Sequence, residues 1–400
     1  MAADALVAAG WDVTVLEARE RVGGRVWSDR ATNGAIIERG AEWVEDDHAV
    51  LRGQCERFAL PLVRAGMSYH DRRPLGGPPI SDAALVAGRG AVRDLLAELG
   101  EEAAALSVAE AIQRLPVAEG VKVAFRARVE CTSGTPAAEL AATHLQMLAH
   151  APDDADSLRF GEGSDSLARA LAAQLGTRVR LGEPVVELAI APDGVTVATA
   201  LGSHAAEHVI LALPKPLLEA APFADVLPTE VAAVVAQLGT AHAAKLFVPL
   251  TGPAEPGAFL DTRRDYWAWT ANEGDAGLRP ILAGFAGSMP MIELLAVDGG
   301  DGSTWAGCVG DLLPELPLDL AAAGVQTWHD DPYARGVYTC VHPGSHPDDA
   351  VLRQQHGRLT LAGEFTDDVF SGYMEGALRS GVRAAHLVDP TLPLPPPATH

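Results

Sequence analysis

Residues 11–28 read WDVTVLEARERVGGRVWS, and the fold turns on this stretch. Its first half, WDVTVLEA, is an apolar, β-branched run that ends in an acid, which predicts a buried strand. Residues 2–9 before it, AADALVAA, predict a helix. Helix, strand and glycine turn in this order make the rhythm of an α/β nucleotide-binding unit. In such a unit a strand runs into a Gly-x-Gly-x-x-Gly turn, and a helix sets its N-terminus on a pyrophosphate. A second strand then ends in an acid that accepts from ribose hydroxyls. Glu17 stands where that acid belongs. The first strand and its glycine turn have no counterpart here, and a purely structural helix and strand would read the same way. Gly23 and Gly24 add weight, because without Cβ atoms the backbone can approach a ligand closely. Arg25 presents a fork of donors suited to phosphate oxygens.

The rest of the composition bounds the class. The 400 residues suffice for two domains, and 48% hydrophobic against 21% charged residues marks a globular chain. A formal net charge of -23 argues against nucleic acid and anionic membrane as partners. It is compatible with a cationic substrate, though surface charge commonly serves solubility alone. Cys55, Cys131, Cys308 and Cys340 are far apart with no Cys-x-x-Cys, so no disulfide framework or zinc site is expected, and a reduced cytoplasmic setting fits. No histidine pair has metal spacing, so no metal is expected. No run reaches the length of a membrane span.

Further along, residues 81–150 carry helical spacing in DLLAELGEEAAAL and AAELAATHLQMLAH. GEGSDSLARALAAQLG predicts a loop and a helix, RVRLG and PVVELAI predict strands, and PDG turns into VTVATA. HVILALP closes that block. Residues 215–340 read as mainly sheet with some helix. GRLTLAGE is a strand that leads into the helix MEGALRSGVRAAHLV. The expected class is α/β, a Rossmann-like domain that lacks its first strand and holds an inserted α+β domain. The pieces are expected at 1–64, 155–214 and 345–390 for the nucleotide-binding domain and at 65–154 and 215–344 for the substrate domain. Residues 391–400 form a proline-rich tail.

Motifs at both ends carry a family resemblance. LEARERVGGR, then GAIIERGAEWV at 34–44, then LTLAGEFTDDVFSGYMEGALRSGVRAA at 359–385, resemble the flavin-containing amine oxidase family of monoamine, polyamine and L-amino acid oxidases. The resemblance implies FAD held by Glu17, Ala18, Arg19, Gly23, Gly24, Arg25, Gly40, Ala41, Glu42, Trp43, Val186, Trp328, Gly363, Glu364, Gly372, Tyr373 and Met374. Gly372 and Gly376 are expected to clear space beside a flat ring. The helix beginning near Tyr373 would aim its N–H groups at the ring's electron-rich edge. Within WHDDPYARGVYTCVHPG at 328–344, Tyr338 is paired by the resemblance with Tyr373 as two aromatic walls around an amine. The residue before Tyr338 is Val337. Family members with a covalently bound flavin have a cysteine there, so a noncovalent flavin is implied. Lys245 lies in the apolar run LGTAHAAKLFVPL. A lysine there either packs its stem and lifts its head to solvent or, as the resemblance implies, holds a water near the flavin.

The implied reaction is FAD-dependent oxidation of a small-molecule amine by hydride transfer, with imine hydrolysis and reoxidation by oxygen to hydrogen peroxide. Two alternatives come from other classes. One is a noncatalytic relative that does not hold FAD stably, as the absent glycine turn suggests. The other is a desaturase-like or protoporphyrinogen-oxidase-like flavoenzyme, against which the tyrosine pair and Lys245 speak. Codons upstream of Met1 are expected to encode the strand and Gly-x-Gly-x-x-Gly turn, and the chain from Met1 is expected to fold poorly or to hold FAD weakly. Arg263 and Arg264 are candidates for binding a substrate carboxylate, while the tyrosine pair leans toward a simple amine. Oligomeric state is not legible.

Overall fold

The computed structural model describes residues 1–70, 72–149, 156–297 and 300–398. The helix Ala2–Ala8 leads into the short strand Val15–Leu16, which pairs in parallel with Val179–Arg180. A second parallel pair joins Val209–Leu211 to Leu359–Leu361. Parallel pairing requires crossover connections, so segments far apart in the chain build this layer. The C-terminal helix Met374–Val388 packs on Ala2–Ala8 and on Ala49–Arg57. Its Glu375 carboxylate, fully buried, accepts from the Val50 and Leu51 backbone N–H groups at 3.0 and 2.8 Å. That bond satisfies otherwise orphaned donors at the start of Ala49–Arg57 and locks two helices at one end of the cavity described below.

A six-stranded sheet forms the second layer. Its order is Gly324–Thr327, Ala243–Pro249, Leu278–Gly287, Tyr266–Asn272, Gly257–Asp261 and Arg73–Leu75. All neighbours are antiparallel except the last pair. The two-residue period of strands divides this sheet into two faces. Ala244, Leu246, Val248, Tyr266, Ala268, Leu282 and Ala286 face one core, with Trp305 of the helix Ser303–Leu312. Lys245, Trp267, Trp269 and Phe285 face the other side, in register Lys245↔Phe285 and Trp267↔Phe285. One strand therefore carries both core residues and site residues.

A helical layer covers residues 82–149, with helices Asp82–Leu99, Val108–Arg114 and Glu119–Ser133 around Val92, Ile112, Phe125, Leu140 and Leu145. Ser81 and Ser107 cap two of these helices, the second in a reciprocal capping box with Glu110. The helical expectation for 137–150 is only partly met. Ala142–Leu145 is a 3-10 turn followed by the short helix Gln146–Ala149, because Ala141 is drawn into a β-bridge with Ser107. Residue 150 lies outside the described residues. No helix among the described residues is long and apolar enough to cross a membrane.

Candidate active site

A single continuous cavity of about 870 Å³ runs between the parallel layer and the six-stranded sheet. At one end, Glu17 closes the first strand. Its Oε1 accepts from the Arg19 backbone at 2.8 Å, while Arg19 reaches Asp331 at 2.6 Å. Next come the two glycines, both at positive φ. A Cβ on Gly23 would meet the Val26 carbonyl oxygen at 2.4 Å, so this glycine is required by the turn itself. A Cβ on Gly24 would meet nothing within 4 Å and would enter open space beside the cavity. The two glycines thus do different work: Gly23 makes the bend and Gly24 leaves room.

Arg25 is not a free anion-binding fork. It makes a bidentate pair with Glu364, Nη1 to Oε1 at 3.1 Å and Nη2 to Oε2 at 2.6 Å, and donates to the Val337 carbonyl. This pairing ties the N-terminal glycine turn, the 328–344 segment and the C-terminal motif into one wall. Gly40 belongs to the same wall, since a Cβ there would lie 1.7 Å from the Arg25 carbonyl oxygen.

The expected residues largely converge. Glu17, Ala18, Arg19, Gly23, Gly24, Arg25, Gly40, Ala41, Glu42, Trp43, Lys245, Trp328, Tyr338, Gly363, Glu364, Gly372, Tyr373 and Met374 all line the cavity. Val186 does not. It is 59% exposed, and its neighbour Val185 faces the cavity instead, a one-residue slip that the strand period turns to the opposite face. Gly376 also differs, because a Cβ there would strike the Phe370 carbonyl at 2.1 Å, so it serves helix packing and not the cavity. Arg263 and Arg264 turn toward Asp261, at 3.7 and 3.1 Å, away from the lining. Cys340 is buried in the helical core and accepts from Thr135.

Lys245 does not lift its head to solvent. It is 5% exposed, with Nζ donating to Glu42 Oε2 at 2.9 Å and to the Gly40 carbonyl at 3.1 Å. Glu42 in turn meets Arg159 at 3.3 Å. Burial works to raise the Glu42 carboxyl, but the Lys245 and Arg159 charges outweigh it and hold the group below the usual carboxylate range. Glu38 behaves oppositely. Burial and the Glu42 charge raise it to about 7, despite bonds from Ser28 and the Ser164 backbone.

Glu38 therefore carries a pH signature. Its folded pKa lies above the unfolded value, so its contribution to stability is full below about pH 4.5 and is lost as pH rises through 7. The loss amounts to about 3 kcal/mol. Glu38→Gln is expected to be more stable than the parent at pH 8 in urea unfolding, with a flatter profile between pH 5 and 7. Equal stabilities across that range would refute this account of Glu38.

At the far end the cavity becomes aromatic. Tyr338 donates from its hydroxyl to the Thr132 carbonyl. Tyr373 meets His48 edge-on at 5.6 Å, and a Cβ on Gly372 would lie 3.8 Å from the Tyr338 ring base. Burial lowers His48 to about 4, so its ring is a neutral buttress. Trp267 and Trp269 stack at 3.9 Å, and Trp43 and Tyr69 close on them at 5.2–5.8 Å. None of His48, Tyr69, Arg72, Thr132, Trp267 or Trp269 is signalled by a sequence motif. Within YWAWTAN the alternating tryptophans mark one face of a strand, but they give no sign that it borders a cavity.

The residues present fit a flavin dinucleotide. The acid at a strand end, the Gly23–Gly24 turn with open space beside it, the start of the helix Met374–Val388 and an aromatic-lined end follow one another along one cavity. The sequence profile described as flavin containing amine oxidoreductase matches residues 1–389. The chain belongs to this family. Amine oxidase [flavin-containing] B of Sus scrofa is 25% identical across 96% of this chain and 82% of its own length. Lysine-specific histone demethylase 1B of Mus musculus is 25% identical across 94% of this chain, and the chain spans about half of that relative's length (50%). Putrescine oxidase of Kocuria rosea is 48% identical over 60 residues, 15% of this chain and 12% of its own. Cyclohexylamine oxidase from Brevibacterium oxydans IH-35A shares the fold with a TM-score of 0.82 at 22% identity, covering 97% of this chain and 95% of its own. Wild-type putrescine oxidase bound to putrescine superposes with a TM-score of 0.81 at 20% identity, covering 97% and 95%. Family membership establishes the flavin as the expected cofactor class and the α/β, Rossmann-like architecture as the shared fold.

Proposed function

We propose that the chain is an FAD-dependent amine oxidase that binds its flavin noncovalently. The observation that carries this reading is the convergence of Glu17, Gly24, Lys245, Tyr338 and Tyr373 on one cavity from segments hundreds of residues apart. Glu17 would hold the ribose end and Gly24 would leave room for the phosphates. The start of Met374–Val388 would place partial positive charge toward the ring. FAD bound there would supply the hydride acceptor, so the reaction demands no nucleophile from the protein.

The remaining work falls to this chain's side chains. Tyr338 and Tyr373 orient the amine and shield it from bulk water. The stacked Trp267 and Trp269 form a dry floor. Lys245, fixed by Glu42 and the Gly40 carbonyl, keeps a positive charge and a proton donor at the cavity wall. Val337 turns its carbonyl to Arg25 and has no sulfur to offer, which supports a noncovalent cofactor.

The test is direct. Protein incubated with excess FAD is expected to take up the cofactor, release it on acid denaturation, and form hydrogen peroxide only when an amine is added. Saturable FAD uptake without peroxide from any primary, secondary or carboxylated amine would overturn the oxidase reading.

A further inference from the structure

One arginine, Arg72, lines the aromatic pocket, a second, Arg128, is buried behind it against the Tyr69 ring, and the amine chemistry above leaves both unused. Arg72 and Arg128 are 7% and 6% exposed. A buried guanidinium is costly unless an acid answers it. Among the described residues neither makes an ion pair. Arg72 donates to the Thr132 hydroxyl at 2.9 Å and to the Tyr69 carbonyl at 3.4 Å, and lies 3.8 Å over the Trp267 ring. Arg128 lies 5.6 Å from the Tyr69 ring, and its Nη1 is buried with no hydrogen-bond partner. His70 beside them offers no negative charge; burial and the arginines hold it neutral, at about 3. Glu45, on the same cavity, accepts from Ser157 instead of Arg72.

This charge stands close to the proposed amine position. Tyr69, His70, Arg72, Thr132 and Trp267 line the cavity together with Tyr338 and Tyr373. Thr132 joins the two features, since its carbonyl takes the Tyr338 hydroxyl while its own hydroxyl takes Arg72.

We infer that the amine oxidised in this cavity also bears a carboxylate, which seats on Arg72 with Arg128 behind it. The inference rests on the oxidase reading for its amine and on the arginines alone for its anion. Arg72, pinned by Thr132 and stacked on Trp267, is preorganised to donate to both carboxylate oxygens in a poorly solvated pocket. An amine without that group leaves the guanidinium desolvated and unanswered, which is how a polar site rejects an apolar analogue. The subsite replaces the role expected of Arg263 and Arg264, and it moves the substrate class from a simple amine to an amino acid.

Calorimetric titration with phenylacetate and its neutral counterpart phenylacetamide, with FAD in excess, separates the possibilities without turnover. Phenylacetate is expected to bind at least about tenfold tighter than the amide. Arg72→Met is expected to abolish that preference, and Arg72→Lys to keep part of it. Arg263→Met, outside the cavity, should leave it unchanged. Equal binding of the two probes by the parent protein, a comparison that needs no variant, overturns the subsite, as does a preference that survives Arg72→Met. A protein that prefers phenylacetate yet forms no peroxide from any amine keeps the subsite and loses the oxidase reading. Peroxide from 2-phenylethylamine with equal probe binding does the reverse.

Discussion

Glu42→Ala is expected to be among the most destabilising single substitutions in the protein, at about 3–5 kcal/mol. Glu42 sits between Lys245 at 2.9 Å and Arg159 at 3.3 Å, and all three side chains are about 5% exposed. Removing the carboxylate leaves two buried cations with no acid between them. Arg159 is already thinly served, with Nε and Nη2 lacking partners. Glu42→Gln keeps a hydrogen-bond acceptor and should cost less, about 1–3 kcal/mol. The order of the two variants in urea midpoints, at unchanged slope, checks the claim. Glu42 also sets an acid limit. Its folded pKa lies below the unfolded value, so its contribution is present at neutral pH and is lost as pH falls through the folded pKa. The Gln variant should show a shallower decline in acid. A Glu42→Ala loss under about 1 kcal/mol would mean that the buried triad relaxes to solvent.

Lys245→Met is expected to affect chemistry more than stability. Glu42 keeps Arg159 as a partner, so the fold retains one buried charge pair. The positive charge at the cavity wall is gone, however, and negative charge developing there loses a fixed donor. Return of the oxidised flavin spectrum in air should slow by on the order of a hundredfold. The amine-dependent half-reaction should change far less. Lys245→Arg should restore part of the oxygen step. Unchanged reoxidation in Lys245→Met would remove Lys245 from the mechanism and leave it as a structural partner of Glu42.

The legible parts of this site were those whose chemistry is local. Gly23, Gly24 and Arg25 lie in one turn, and their spacing is visible before any folding. Lys245 stands out because an isolated lysine in an apolar strand conflicts with its surroundings. The opposite holds for Arg72, Trp267 and Trp269. Their placement depends on a sheet that joins Arg73–Leu75 to Gly257–Asp261 in parallel, and on which face of each strand meets the cavity. Pairing between segments so far apart leaves no trace in either one alone. Val186 shows the same limit at its smallest scale: PVVELAI reads correctly as a strand, but Val185 and not Val186 faces the cavity. Arg25 shows another: its donors looked suited to phosphate, but the fold brings Glu364 to within 2.6 Å of them. The stop in the helical pattern at 137–141 came from the Ser107–Ala141 bridge, a tertiary contact that overrides strong local propensity.

On the proposed reading, one cavity holds a flavin and an amine in reacting contact. Anaerobic mixing of FAD-saturated protein with an excess of an amino acid tests it most directly. The oxidised flavin absorbance is expected to bleach at a rate that saturates with amine concentration. Admitting air should then restore it, with one hydrogen peroxide formed for each flavin. An absorbance that stays constant through additions of amino acids, monoamines and diamines, in protein shown to have bound FAD, would contradict it.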